Sequence, residues 1–185
     1  VSAIDLDNLP SDSGVVWSQI ARRPAEVKVC FEVLLRLKGR DSTMIMPGAF
    51  IPTAERFHLM PDIDFWVLRN ALRALGDFCK VWKEVMFSVN LAGQTLIRPE
   101  LVPTIKDLFR EYDIDPACLA FEITETTAIA NIPAAQRVIN ELSALGCHFS
   151  LDDFGTGFSS FSHLKHLNVE CVKIDGIFVR GMTKD

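Results

Sequence analysis

Apolar residues along the chain follow two periods, one typical of strands and the other typical of helices. Short runs rich in β-branched and aromatic residues lie at 15–20, 28–37, 85–91, 118–124, 147–152 and 170–175. The longer segments between them repeat apolar residues every three or four positions, as one face of a helix does. This alternation predicts βα units built on a parallel sheet.

Three segments show the helical period clearly. The first begins at Pro61, and Gly76 lies where we expect it to end, because glycine commonly follows the last turn of a helix. The second covers 100–112. The third covers 132–145 and stops before Gly146. Each predicted helix is followed by a predicted strand, as βα units require.

Strand side chains alternate between two faces, so each predicted strand can be divided into an apolar and a polar face. Phe31 and Val33 oppose Glu32, and Phe121 opposes Glu122. The polar face also carries Arg36, Ser88, Asn90, His148, Ser150, Asp152, Lys173 and Asp175. In a (β/α) barrel such residues gather at the C-terminal mouth. An open sheet with one solvated face is the alternative, although intervening helices favour a sheet covered on both faces.

Composition limits the function classes. The 185 residues are 49% apolar and 23% charged, which is sufficient for one sizeable core. The net charge of −5 argues against binding a DNA or RNA polymer through its phosphates. The sequence contains no apolar run of membrane-spanning length and no signal-peptide pattern, so a cytoplasmic location is expected. We predict a flexible lead-in at 1–14 and one barrel domain over 15–185.

Hard oxygen ligands lie on the polar faces of four different strands. They are Glu32, Asn90, Glu122 and Asp152. Carboxylate and amide oxygens suit Mg²⁺, Mn²⁺ or Ca²⁺. Carboxylates that gather without a cation repel one another, so the cluster implies a counter-charge. Asp153 follows directly and could reach a second ion, an arrangement suited to in-line displacement at phosphorus.

Two cations on the polar faces complete the candidate chemistry. Lys173 could orient or deprotonate a water molecule, and Arg36 could clamp a phosphate in bidentate fashion. Purely structural roles for these residues stay open. Glu32 and Arg36 could simply neutralise each other, Asn90 could be a turn residue, and His148 is better read as a hydrogen-bonded interior histidine than as a ligand.

Six short motifs occur in a specific order along the chain. They are Glu32-Val33-Leu34-Leu35-Arg36, Pro47-Gly48-Ala49-Phe50-Ile51-Pro52 with Ala54-Glu55, Ser88-Val89-Asn90-Leu91, Glu122-Ile123-Thr124-Glu125, Asp152-Asp153-Phe154-Gly155-Thr156-Gly157 and Lys173-Ile174-Asp175. Together they resemble the EAL domain family of bacterial cyclic di-GMP phosphodiesterases. Val33 replaces the family's usual alanine on the outward face, where we expect it to be tolerated.

The resemblance implies a TIM-type (β/α) barrel that hydrolyses cyclic di-GMP to linear pGpG in bacterial second-messenger signalling. It implies that one Mg²⁺ or Mn²⁺ is bound by Glu32, Asn90, Glu122 and Asp152. It also implies that Asp153 binds a second ion.

The resemblance assigns roles to five further residues. Lys173 is similar to the residue that helps to activate water, and Arg36 to a contact of the substrate phosphate. Glu125 is similar to a carboxylate that steadies the loop 152–157. Gln19 and Asp175 are expected to line the site.

Family members continue for two more βα units, which carry a glutamate for the second metal ion and a glutamine. We therefore expect an incomplete barrel with about six of eight strands. The resemblance implies a phosphodiesterase at the level of the family and leaves open that the fragment alone is inactive. A non-catalytic cyclic di-GMP receptor and a scaffold domain are the alternatives. Fusion to other signalling domains is expected in the parent protein, and a homodimer is left open.

Overall fold

The structure is a computed structural model that describes residues 15–21, 29–39, 43–82, 84–155 and 167–179. Along 15–21 it describes the backbone and not the side chains. The predicted lead-in at 1–14 lies outside the described residues.

Six strands form one sheet whose strand order follows the chain order. They are β1 (Val15–Ala21), β2 (Val29–Leu35), β5 (Val85–Asn90), β6 (Leu119–Thr124), β7 (His148–Phe154) and β8 (Cys171–Ile174). A separate antiparallel ribbon consists of β3 (Leu37–Lys38) and β4 (Met44–Ile45). All six predicted strands are confirmed, and sequential order is the arrangement of an α/β barrel.

Five of the six strands, β2 and β5 to β8, run parallel, as predicted from the βα alternation. The first strand differs, because β1 pairs with β2 in an antiparallel ladder that sets Ser18 opposite Glu32. Only residues 22–28 connect these two strands. A parallel connection needs about a dozen residues or more, so this short connection permits only the antiparallel pairing.

Most helices lie between strands along the chain, and the last one follows β8. The helices are α1 (Pro47–Arg56), α2 (Met60–Val81), α3 (Gly93–Leu96), α4 (Leu101–Tyr112), α5 (Glu125–Ala130), α6 (Ile132–Ser143) and α7 (Gly176–Val179), with a 3₁₀ turn at Pro116–Cys118. None of the helices in the described part of the chain has the length and apolar character needed to cross a membrane.

The predicted end of the first long helix at Gly76 is wrong, because α2 continues to Val81. Gly76 lies instead where α2 packs against α4. A β-carbon at this position would lie 2.9 Å from the carbonyl oxygen of Tyr112 and 3.0 Å from its Cβ. The glycine therefore permits two helices to approach closely and does not end one of them.

The hydrophobic core lies between the sheet and the helices. Phe31, Phe87, Phe121 and Phe149 project from four successive strands into this layer and are almost completely buried. The ring centroids of Phe121 and Phe149 are 5.2 Å apart. The predicted division of these strands into an apolar, helix-facing side and a polar side is therefore confirmed, and it also places Val33 in the core.

Candidate metal and nucleotide site

Polar side chains from five parallel strands meet on the face of the sheet opposite the core. The set consists of Glu32 on β2, Asn90 on β5, Glu122 on β6, Asp152 on β7 and Lys173 on β8. Strand register places Asn90 directly beside Glu122. The charges of Glu122, Lys173 and Asp152 all act on Glu32, so the set forms one electrostatic cluster, which we call the mouth cluster.

Glu122 is the buried centre of the mouth cluster, with a side chain only 2% exposed. Its Oε1 accepts a hydrogen bond from the Ser88 hydroxyl at 2.5 Å and forms an ion pair with the ammonium of Lys173. Its Oε2 is buried and accepts no hydrogen bond from any residue that the structure describes. A buried carboxylate oxygen without a partner is costly, so this oxygen is available to a further cation or donor.

Glu32 lies next to Asn90, whose side-chain Nδ2 donates to Glu32 Oε1 at 3.1 Å. Burial is the main cause that raises the pKa of Glu32, and the negative charge of Glu122 raises it further. The hydrogen bond from Asn90 and the charge of Lys173 act in the opposite direction but do not cancel the rise. The site thus holds Glu32 in a setting that disfavours its charged form.

Lys173 supplies positive charge to the mouth cluster. Burial lowers the pKa of its amine, but the hydrogen bond and the charge of Glu122 more than offset that effect, so the net shift is upward. In the arrangement seen here Lys173 is therefore protonated at neutral pH. It acts as a cation and a hydrogen-bond donor, which matches orienting a water better than deprotonating one.

The end of β7 presents two adjacent carboxylates on different sides of the chain. Asp153 has a positive φ of 54°, an uncommon conformation that aspartate tolerates better than most residues. Its backbone N–H donates to Asp152 Oδ1 at 3.0 Å. Burial raises the pKa of Asp153, and the negative charges of Asp152 and Asp175 raise it further. The turn thus holds Asp153 near the other acids despite their repulsion.

Glu125 holds the segment that follows β7. It lies at the start of α5, is 2% exposed, and its Oε2 accepts the N–H of Gly155 at 2.8 Å. The expected link between Glu125 and this loop is therefore present at Gly155. The remaining predicted loop residues, Thr156 and Gly157, lie outside the described part.

Three further residues were expected at the site: Arg36, Asp175 and Gln19. The guanidinium of Arg36 donates to the Leu35 carbonyl oxygen at 2.8 Å, and within the described residues it forms no ion pair with Glu32. Asp175 accepts the N–H of Ile177 at 2.6 Å while its charge reaches Asp153. The backbone of Gln19 pairs with β2, but its side chain is outside the description.

The mouth cluster has the donor atoms of a divalent-cation site, although its side chains are not arranged in a metal-coordinating geometry. Among residues 29–39, 43–82, 84–155 and 167–179, no three His, Cys, Asp or Glu side chains are arranged around a common metal position. Lys173 and Ser88 instead occupy one oxygen of Glu122. The partnerless Oε2, the excess of acids over cations and the all-oxygen donor set still match Mg²⁺ or Mn²⁺.

A known protein family matches most of the chain. The family model of the EAL domain matches residues 23–185. The chain belongs to the EAL domain family.

Relatives of this EAL domain include two proteins named cyclic di-GMP phosphodiesterases. PdeB of Shewanella oneidensis is 42% identical over 151 residues, which are 82% of this chain and 18% of the relative. PdeF of Escherichia coli is 34% identical over 157 residues, which are 85% of this chain and 21% of the relative. The chain thus spans about a fifth of the length of these relatives.

Solved EAL structures share the fold. The phosphodiesterase PaMucR in a c-di-GMP complex superposes with a TM-score of 0.82 at 30% identity, covering 92% of this chain and 70% of that one. The FimX EAL domain from Pseudomonas aeruginosa bound to c-di-GMP gives 0.84 at 27% identity, covering 92% and 68%. The EAL domain is thus a barrel of the TIM type, and the described sheet is part of one.

Sequence reasoning missed three polar residues that form buried hydrogen bonds in this EAL domain. Ser88 was placed on the polar face without a role, yet it donates directly to Glu122. Asp64 and Thr95 were not singled out, yet they form a buried hydrogen bond between α2 and the segment after β5. The parity of β5 could have indicated Ser88. Asp64 interrupts the apolar face of its helix, which was the available signal for it.

Proposed function

We propose that this EAL domain hydrolyses cyclic di-GMP to linear pGpG with the help of bound Mg²⁺ or Mn²⁺. The observation that carries the proposal is the buried Glu122, whose Oε2 has no partner among the described side chains and lies within an acid-rich strand-end cluster. A pocket in which acids outnumber cations in this way is stabilised by a divalent cation. The names of the similar proteins supply the substrate class.

The residues that would hold the first ion are Glu32, Asn90, Glu122 and Asp152, and Asp153 would contact a second. Bound there, divalent ions would supply positive charge next to the scissile phosphate and its attacking water. Asn90 and Ser88 would orient the carboxylates, since both already donate to them. Glu125 would fix the backbone that carries the two aspartates.

Lys173 would hold the attacking water and counter the negative charge that develops on the phosphate. The water oxygen forms a bond to phosphorus and the bond to the 3′-oxygen breaks. One water proton ends on that 3′-oxygen, so that cyclic di-GMP and water give pGpG. Arg36, at the end of β2, would contact a phosphate of the substrate, and we propose Gln19 and Asp175 as further residues of the binding surface.

A metal-dependent assay tests this function. The chain is incubated with cyclic di-GMP and Mn²⁺, and pGpG is quantified by chromatography. We expect product in the presence of Mn²⁺, and its loss in Glu122→Gln and in a chelator. Thr126→Ala is the matched control, because Thr126 is an exposed residue close by on α5. Equal turnover by Glu122→Gln and by the wild-type chain would contradict the proposal.

A receptor that binds the nucleotide without turnover is the second candidate. The observation that favours it is that Lys173 already neutralises Glu122, so that three acids do not surround an open ion position among the described residues. Calorimetric titration with cyclic di-GMP separates the candidates. Tight binding without pGpG favours the receptor, whereas neither binding nor turnover leaves a scaffold role.

A further inference from the structure

A buried carboxylate in the outer helical layer supports the segment that follows β5. Asp64 lies on α2 and is 5% exposed. Its Oδ2 accepts two hydrogen bonds, from the backbone N–H of Ala92 at 2.9 Å and from the hydroxyl of Thr95 at 2.6 Å. Both donors are neutral, and within the described residues Asp64 forms no ion pair. Burying a carboxylate with only neutral partners lowers stability, so packing alone does not account for an aspartate at position 64.

The two donors lie at the start of α3, directly after the strand that ends at Asn90. Ala92 is the residue that precedes α3, and its own side chain cannot cap the helix. Thr95 N donates to the Ala92 carbonyl oxygen at 3.0 Å. The carboxylate of Asp64 therefore accepts the N–H of the N-cap residue, a contact that a glutamate in the first turn makes in a capping box.

The same segment is tied down at two further points. The N–H of Leu91 donates to the carbonyl oxygen of Glu122 at 2.9 Å. The side-chain amide of Gln94 donates to the carbonyl oxygen of Glu55 at 2.7 Å. The Asn90 side chain itself is exposed and has one described hydrogen bond, to Glu32. Its place in the mouth cluster therefore depends on how the backbone beyond it is held.

We propose that Asp64 is a positioning residue that fixes the segment 91–96 and thereby keeps Asn90 beside Glu32. The inference rests on the proposed function, since Asn90 matters there as a metal ligand. A purely structural role for Asp64 would make stability depend on it but not the position of Asn90. A substitution of Asp64 therefore distinguishes the two roles by whether it changes the environment of the Asn90 side chain, which lies two residues before Ala92.

The test uses the whole 185-residue chain and four variants. Asp64→Ala removes the acceptor, and Thr95→Val removes one donor while keeping the side-chain shape. Asp64→Asn retains an oxygen that can accept both bonds. Leu75→Ala is the matched control, because Leu75 is fully buried on the same helix about 16 Å from Asp64 along its axis.

The first readout needs no metal. The side-chain amide signals of Asn90 are followed by ¹H–¹⁵N NMR and assigned with Asn90→Ser. We expect Asp64→Ala and Thr95→Val to shift or broaden them, and Asp64→Asn and Leu75→Ala to leave them in place. Unchanged signals in Thr95→Val, or an equal change in Leu75→Ala, would overturn the proposal. Thr95→Val decides the matter if Asp64→Ala does not fold.

The second readout is the dissociation constant for Mn²⁺. Loss of a group that supports a metal ligand weakens binding about 10-fold or more, and we expect this for Asp64→Ala and Thr95→Val. Leu75→Ala should bind Mn²⁺ as the wild-type chain does, and equal weakening there would refute positioning. If the wild-type chain binds no Mn²⁺, the proposed function fails, while the Asn90 signals still decide the role of Asp64.

Discussion

Replacing Lys173 by methionine tests the charge balance of the mouth cluster. Methionine keeps the unbranched apolar stem but removes the ammonium, so that Glu122, 2% exposed, loses its cationic partner. Removing one partner of a buried ion pair costs about 3 to 5 kcal/mol, because the remaining charge is uncompensated. The Lys173 side chain is 28% exposed, so water screens part of the effect. We therefore expect Lys173→Met to lower the free energy of unfolding by about 3 kcal/mol at neutral pH.

A double-mutant cycle isolates this interaction. Glu122→Gln removes the buried charge and leaves Lys173 able to reach water, so its cost should be smaller, about 1 kcal/mol. The double variant should be more stable than the sum of the two losses predicts, by roughly 2 kcal/mol. Urea unfolding followed by circular dichroism, in chelator, gives the four free energies. Added Mn²⁺ should recover part of the loss in Lys173→Met, since it replaces the missing cation.

The reasoning would be refuted by additive losses in the cycle. A loss below about 1 kcal/mol for Lys173→Met would also refute it, because that is the range of an exposed ion pair.

Three further predictions concern packing, pH and the loop after β7. Gly76→Ala should lower the free energy of unfolding by about 1 to 3 kcal/mol, because the added methyl group overpacks α2 against α4. Gly48→Ala on α1 is the control and should not lower it, because its methyl group meets open space. Thermal or urea unfolding of both variants checks this. Burial raises the pKa of Asp64 from 3.8 to about 6, so the folded state binds this proton more tightly than the unfolded state does. The stability that the protonated group contributes is therefore complete below pH 3.8 and is lost as the pH rises through about 6. At about 1.4 kcal/mol per pKa unit, the stability of Asp64→Asn relative to the wild-type chain should rise by about 2 kcal/mol between about pH 4 and about pH 7. A pH-independent difference would contradict this. Glu125→Ala removes the acceptor of the Gly155 N–H, so exchange of that amide should accelerate about 10-fold while exchange in α4 stays unchanged.

The sheet could be predicted from the sequence because its signal is local. A strand with one face under helices must alternate apolar and polar residues, so Phe31 and Glu32 had to point in opposite directions. The same parity places Glu122 and Asp152 on one face. Sequential strand order then made their meeting a consequence of the fold.

The parts that could not be predicted depend on contacts between residues distant in the chain. Gly76 has the local signature of a helix end, but its role is set by Tyr112 of another helix. Asp64 and Thr95 are 31 residues apart, and neither position alone shows that the other is near. The pairing of Lys173 with Glu122 likewise follows from side-chain geometry and not from strand parity.

The most direct test of the central claim is binding of Mn²⁺ to the whole chain, followed by the loss of the free-ion electron paramagnetic resonance signal. If the strand ends form one divalent-metal site, the wild-type chain binds Mn²⁺, and Glu122→Gln and Asp152→Asn each weaken binding by at least about 10-fold, since each removes a hard charged ligand. Wild-type affinity in both variants would show that these carboxylates do not share an ion.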